Sequence, residues 1–264
     1  MNQTAAHTGT PTLDRPSKMG RCVAIASGKG GVGKTWFAIT LAHALAQRGG
    51  RVLLFDADLG LANIDIQLGL TPLLDLGSVM SGTADFADAV AHFKPGGFDI
   101  LAGRSGSGSL ASLDPAGLER MLALLTAAAS RYDTVLLDLG AGLHRPVRRM
   151  SSWADTLLVI ATEEPTSLTD AYATLKLHAV DRPGGDMRIV VNQTSTQAAG
   201  ERTAATLIRA CRAFLGRAPI VAGTIRRDLH VQDAIRRQTP LLTRHPNCSA
   251  SLDVERIAAS LTDG

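Results

Sequence analysis

The stretch Gly28-Lys29-Gly30-Gly31-Val32-Gly33-Lys34-Thr35 satisfies the spacing G-x-x-x-x-G-K-[ST] in full. Glycines at these positions let successive main-chain N–H groups turn inward around a phosphate, where side chains would block the approach. A helix opening directly after the loop adds its partial positive end. Lys34 can then reach the outer phosphates of a nucleoside triphosphate, and the Thr35 hydroxyl can take a Mg²⁺ ligand position. The same glycines also spell G-x-G-x-x-G through Gly28, Gly30 and Gly33, and Asp56 stands about where a dinucleotide ribose partner belongs. A nicotinamide-binding loop, however, makes no use of Lys34-Thr35 and gives no reason for a second lysine, Lys29, inside the turn. The triphosphate reading accounts for more of the residues.

The remaining candidates are carboxylates and amides at strand ends. Arg51–Asp56 reads as a short, continuously apolar parallel strand. It runs into Asp56-Ala-Asp58-Leu-Gly60-Leu-Ala-Asn63-Ile-Asp65. In open parallel sheets, ligands gather beyond the carboxyl ends of strands, so these acids point toward the phosphates. Asp58 is the candidate to hold or polarise an attacking water, whereas Asp65 reads as a helix-start acid. Tyr132–Asp138 is a second apolar strand ending in an acid, and Asp138 suits a water-mediated contact with Mg²⁺. Gly140 and Gly142 let the following main chain approach the terminal phosphate. Met187–Val191 ends at Asn192, whose carboxamide carries the donors and acceptors to read a base edge.

These residues require strands and helices in alternation. An apolar run, Cys22–Ser27, leads into the loop; Phe37, Leu41 and Leu45 give the helix from Lys34 one apolar stripe. A short helix is expected near Ala84–His92 and a strand at Phe98–Ala102. Gly103–Ser109 reads as a flexible connection. Asp114-Pro115 opens a helix in the order cap then proline. Asp155–Ala161 is a strand, followed by a helix capped by Thr166 or Ser167, with Leu168, Tyr172, Leu175 and Leu177 as core. A helix over 202–215, a strand over 219–222 and a helix over 229–237 follow. Residues 252–261 form a docking helix with Leu252, Ile257 and Leu261 on one side. The alternation implies one α/β domain, a doubly wound, mostly parallel sheet flanked by helices, over residues 19–264. Residues 1–18, rich in Thr and Pro, read as a flexible tail.

The 264 residues, 45% of them hydrophobic, suffice to bury one large core. A net charge of +3 demands no nucleic-acid partner. Arg145, Arg148-Arg149, Arg226-Arg227 and Arg236-Arg237 are short basic clusters that read first as solvated helix faces, then as dimer or nonspecific DNA contacts. Cys22, Cys211 and Cys248 lie far apart with no C-x-x-C, which suggests neither a disulfide framework nor a zinc site and fits a reducing cytoplasm. The histidines are scattered without metal spacing, and no apolar run approaches a membrane span.

Lys29-Gly-Gly-Val-Gly-Lys-Thr35 resembles the deviant phosphate loop of MinD/ParA-type ATPases, whose extra lysine is the family signature. Asp56–Asp65, Gly140-Ala-Gly142 after Asp138, and Glu164–Tyr172 together resemble the FlhG/FleN branch, ATPases that set flagellar number and position. The likeness covers roughly residues 20–245. It implies ATP and Mg²⁺ as cofactors and an ATP-dependent homodimer in which Lys29 reaches the partner's phosphates. Catalysis would then fall to Lys29, Lys34 and Asp58, and metal binding to Thr35, Asp58 and Asp138. Nucleotide contacts would come from residues 28–35 with Trp36, Asn192 and Asp228, and the dimer-dependent switch from Asn63, Gly140 and Gly142. The resemblance further implies a cytoplasmic switch, recruited to a pole or membrane site by a partner such as a flagellar GTPase or a flagellar transcription or assembly factor. Trp36 departs from a small polar residue near the α-phosphate, and Leu139 from a threonine after the metal-side acid. The tail lacks the Asp-Gln-Ala…Leu-Arg motif with which some members stimulate the flagellar GTPase. Arg256 is the lone base of the final helix, against the several that membrane binding would want.

Overall fold

The computed structural model describes residues 19–58, 60–103 and 113–262. The expected tail over 1–18 and nearly all of the connection over 103–109 lie outside them. Eight strands are described: β1 (Arg21–Ala26), β2 (Val52–Ala57), β3 (Val90–Phe93), β4 (Phe98–Leu101), β5 (Thr134–Leu139), β6 (Thr156–Ala161), β7 (Asp186–Thr194) and β8 (Ile220–Arg226). They form one sheet in the order β3-β4-β2-β5-β1-β6-β7-β8. Every pairing is parallel except β3 with β4. The helices described before β5 are α1 (Lys34–Gln47), α2 (Ile64–Leu68), α3 (Leu76–Met80), α4 (Phe86–Ala89) and α5 (Pro115–Ala129). After β5 come α6 (Arg145–Trp153), α7 (Pro165–Asp181), α8 (Gln197–Leu215), α9 (Leu229–Arg236), α10 (Leu241–Arg244) and α11 (Ser249–Thr262).

The central strands are buried on both faces, which is why they read as unbroken apolar runs. On one face, Ala24, Phe55, Leu137 and Val159 meet α5, α6, α7 and α8 through Leu125, Met150, Leu175 and Leu207. On the other, Ile25, Leu54, Leu136 and Leu158 meet α1 and α11 through Phe37, Leu41, Val254 and Ile257. This is the doubly wound, mostly parallel sheet expected from the alternation of elements.

Several local expectations differ. The α1 helix is not a one-sided amphipath: every residue from Trp36 to Leu45 is buried, because α11 covers the side turned away from the sheet. The helix expected near 84–92 shrinks to α4, and Val90–Phe93 becomes an edge strand. Pro95-Gly96-Gly97 reverses the chain there, with Gly97 at φ 67°, so β3 lies antiparallel on β4. Pairing thus overrides the helix-favouring composition of the segment. The α7 helix starts at Pro165, ahead of both expected caps: the Ser167 hydroxyl instead accepts the Thr162 N–H at 3.0 Å. Of the residues expected on its core face, Leu175 is fully buried, while Leu168 and Tyr172 are partly so. The α8 helix begins earlier than expected, capped by Thr196, and β8 runs longer. On α11, Leu252 faces outward at 41% exposure; Ala250, Val254, Ile257, Ala258 and Leu261 form the buried side.

Candidate functional site

Strand order places the carboxyl ends of β2, β5, β1 and β6 side by side. The loop after β1 therefore lies between the acids of its neighbours. Asp56 and Asp138 are register partners on adjacent parallel strands and so face the same side, that of α1. Lys34, the first residue of α1, drops onto this pair. Its Nζ lies 2.7 Å from Asp138 Oδ1, with the two side chains only 8% and 1% exposed. Asp138 Oδ2 is buried and accepts no hydrogen bond. Burial pushes the Asp138 carboxyl up from the usual range, while Lys34 and the Thr35 hydroxyl pull it down.

The glycines divide into two kinds. Gly31 and Gly33 sit at φ 80° and 86°, in the left-handed region. A Cβ on Gly33 would also come within 2.5 Å of Asn192 Nδ2, and one on Gly28 within 2.5 Å of the Asp170 Cβ. The protein's own packing therefore demands Gly28 and Gly33. At Gly30 and Gly31 an added Cβ would meet nothing within 4 Å, which leaves the mouth of the loop open to a ligand.

Asp58 lies just beyond β2. Its Oδ1 accepts the main-chain N–H groups of Gly60 and Leu61 at 3.3 and 3.1 Å. It sits 3.1 Å from where a Cβ on Gly140 would stand, so the glycine loop after β5 passes directly over it. The Gly142 N–H donates to Ser27 O at 3.0 Å, tying that loop to the end of β1. Asn63 is half-buried and precedes α2; its N–H donates to Asp56 Oδ2 at 3.1 Å.

Asp56 is 1% exposed and accepts the N–H groups of Asp58, Asn63 and Ile64, so it shapes the 58–64 loop and is not placed to hold a ribose. Burial first, then the charge of Asp138, raise its pKa to about 7. A raised carboxyl pKa means that between about pH 4 and 7 the folded chain holds a proton the unfolded chain has released. Stability relative to Asp56→Asn should therefore fall as pH rises through that window, by up to about 1.4 kcal/mol per pH unit. Urea unfolding of both chains at several pH values, without nucleotide or Mg²⁺, checks this; parallel curves would contradict it.

Other expected contacts are placed differently. Asn192 is 3% exposed; its Nδ2 donates to Val32 O at 2.8 Å and its Oδ1 accepts the Gln193 N–H. Within the chain this carboxamide braces the phosphate loop. Trp36 is 6% exposed and lines a small cavity together with Ile39, Gln67 and Leu68. Asp228 caps α9, accepting the N–H groups of His230 and Ala250 at 3.0 and 3.3 Å, in place of an open base contact. In the single chain the Lys29 Nζ lies 2.6 Å from Glu164 Oε2 and 3.2 Å from Thr166 Oγ1. The sequence reading makes Thr166 a helix cap and Glu164 the start of a resembling stretch, and misses that both meet Lys29; the signal was their place just past β6, the strand beside β1.

The donor set fits a Mg²⁺–triphosphate. A hydroxyl at Thr35 and an unsatisfied carboxylate oxygen at Asp138 are oxygen ligands of the kind Mg²⁺ prefers, beneath a loop with open main chain and a buried lysine. Four of the seven clustered arginines are paired within the chain. Arg148 pairs with Asp181, Arg149 with Glu119, Arg226 with Asp253 and Arg237 with Asp233. No helix among the described residues is long and apolar enough to cross a membrane.

Comparison with known proteins agrees with this architecture. Residues 23–241 match the CobQ/CobB/MinD/ParA nucleotide binding domain. Antiactivator FleN of Pseudomonas aeruginosa is 36% identical over 236 residues, covering 89% of this chain and 84% of that protein. Flagellum site-determining protein YlxH of Helicobacter pylori is 26% identical over 240 residues, covering 90% and 81%. The cell division ATPase MinD of Pyrococcus furiosus superposes with a TM-score of 0.78 at 24% identity, covering 93% of this chain and 99% of that one, which shows a shared fold. A phosphate loop with two lysines, set among acids at adjoining strand ends, thus coincides with a match spanning most of the chain: the protein belongs to the CobQ/CobB/MinD/ParA nucleotide-binding family, with FleN among its relatives.

Proposed function

We propose that the chain is a Mg²⁺-dependent ATPase that works as a dimerising switch in setting flagellar number or placement. One observation carries the nucleotide reading: the buried Lys34–Asp138 pair, with one carboxylate oxygen unsatisfied, beneath a glycine loop open at its mouth. Lys34 and the loop's main-chain N–H groups hold the phosphates, and Thr35 and Asp138 hold the metal. Mg²⁺, when bound, supplies charge neutralisation on the phosphate oxygens. Asp58 orients the attacking water under the Gly140–Gly142 loop, with Asn63 beside it in the switch segment. Lys29 reaches a second copy after leaving Glu164; that pair is exposed at both ends, so its release meets little resistance. The cellular role rests on similarity to FleN and YlxH. With four of its seven clustered arginines paired in the chain, a DNA-partitioning role gains no support.

Thermal unfolding in the presence of each ligand tests the nucleotide assignment. ATP with Mg²⁺ at a hundredfold excess over its Kd should stabilise the fold by about 2.7 kcal/mol, a rise in Tm of roughly 5–10 °C for a chain of this size. NAD should produce no rise. A shift with NAD alone, or none with ATP, overturns the reading. Flagellar counts on cells lacking the protein test the role in the cell.

A further inference from the structure

Away from the phosphate loop, two turns bring three different metal-ligating side chains together. Asp228, His230 and Cys248 offer a carboxylate oxygen, an imidazole nitrogen and a sulfur, all within 4.8 Å of one another. Among the described residues no other such group of His, Cys, Asp and Glu converges in this way. Asp228 and His230 open α9, and Cys248 immediately precedes α11. Asp228 Oδ1 lies 2.7 Å from His230 Nδ1, and Cys248 Sγ lies 3.3 Å from Ser251 Oγ. The His245 ring packs on His230 with centroids 4.3 Å apart, and its own Nε2 lies 2.8 Å from Asp233 Oδ2.

Helix capping explains part of this, since Asp228 accepts the His230 N–H. Capping gives no reason for a thiol from a distant turn to join the same carboxylate and imidazole. We propose that Asp228, His230 and Cys248 bind a divalent transition-metal ion of the zinc class, with a fourth position left to water.

The donor set decides the class. A thiolate and an imidazole suit Zn²⁺ or Co²⁺, whereas Mg²⁺ takes oxygen ligands. Zinc bonds of about 2.0–2.3 Å imply tetrahedral edges of about 3.3–3.8 Å, which small side-chain rotations reach from the observed spacing. Binding releases the Cys248 proton and displaces the hydrogen bond between Asp228 and His230. The neighbouring His245 ring, tilted 50° to it, limits how far the His230 ring can turn. The ion would tie the start of α9 to the start of α11, the helix that covers α1. Cys22 and Cys211 are buried at 0% exposure and offer no competing thiol. This site is separate from the phosphate loop, so the inference stands or falls independently of the ATPase reading.

The test uses the full chain without a histidine tag, freed of metal by chelation, and Zn²⁺ or Co²⁺ alone as the probe. Calorimetry should give one Zn²⁺ per chain, and Co²⁺ should develop a thiolate-to-metal charge-transfer band. Cys248→Ser should abolish the band and weaken Zn²⁺ binding at least tenfold; His230→Gln, at a largely exposed side chain, should weaken it similarly with the fold kept. Unchanged metal-free unfolding curves for His230→Gln confirm that comparison. Zn²⁺ binding equal in the parent and His230→Gln chains, or a Co²⁺ complex without the thiolate band, overturns the proposal.

Discussion

Lys34→Ala should abolish ATP binding and also weaken the fold. Among the described residues the Lys34 ammonium is the charge paired with Asp138, and both are buried. Asp56 stands beside Asp138 on the next strand, so the orphaned carboxylate would face a second acid in a dry site. Breaking a buried pair by removing one partner costs about 3–5 kcal/mol. Neutralising both should cost far less, because no uncompensated charge remains. Lys34→Met with Asp138→Asn should therefore recover most of the stability lost in Lys34→Met alone, yet bind no ATP. Urea unfolding and calorimetry on the single and double variants separate the two roles. A Lys34→Ala chain as stable as the parent and still able to bind ATP would remove the central pair from the account.

Asp58→Ala should retain ATP, lose hydrolysis by about 10²–10⁴-fold, and accumulate as an ATP-bound dimer on a sizing column. The fold-change is that of removing a group which positions or polarises the nucleophile. Because Asp58 Oδ1 also holds the Gly60 and Leu61 N–H groups, alanine could act by loosening the loop. Asp58→Asn distinguishes the two: its amide oxygen can still accept both hydrogen bonds, but the negative charge is gone. Matching losses in both variants assign the effect to the carboxylate. Full activity in Asp58→Asn, or monomers in both variants with ATP and Mg²⁺, would sink the switch mechanism.

The phosphate loop was legible because its chemistry is local. Glycines, lysine and threonine at set spacing, between a strand and a helix, are nearly a complete instruction, and the structure places them together as expected. The strands carrying Asp56 and Asp138 near their ends were legible for a similar reason, since buried parallel strands are continuously apolar and an acid late in the run marks its close. The edge strand Val90–Phe93 was not, because its pairing depends on a partner across the Pro95–Gly97 turn, and composition alone favours helix. The contact that Asn192 makes within the chain was not legible for a related reason. A carboxamide at a strand end suits either a base or a neighbouring carbonyl, and only the packing of β7 beside the loop selects Val32 O.

The sequence by itself determined the doubly wound class, the two-lysine loop, and which acids would stand at the carboxyl ends of strands. Those follow from propensity, periodicity and spacing, all of which act within a few residues. Tertiary structure alone decided which acids share a site, that Asp56 shapes a loop, and that Lys29 rests on Glu164. It also brought Asp228, His230 and Cys248 into one cluster. Strand order and helix docking are settled by burying one continuous core, and they join residues far apart in the chain that no local pattern relates.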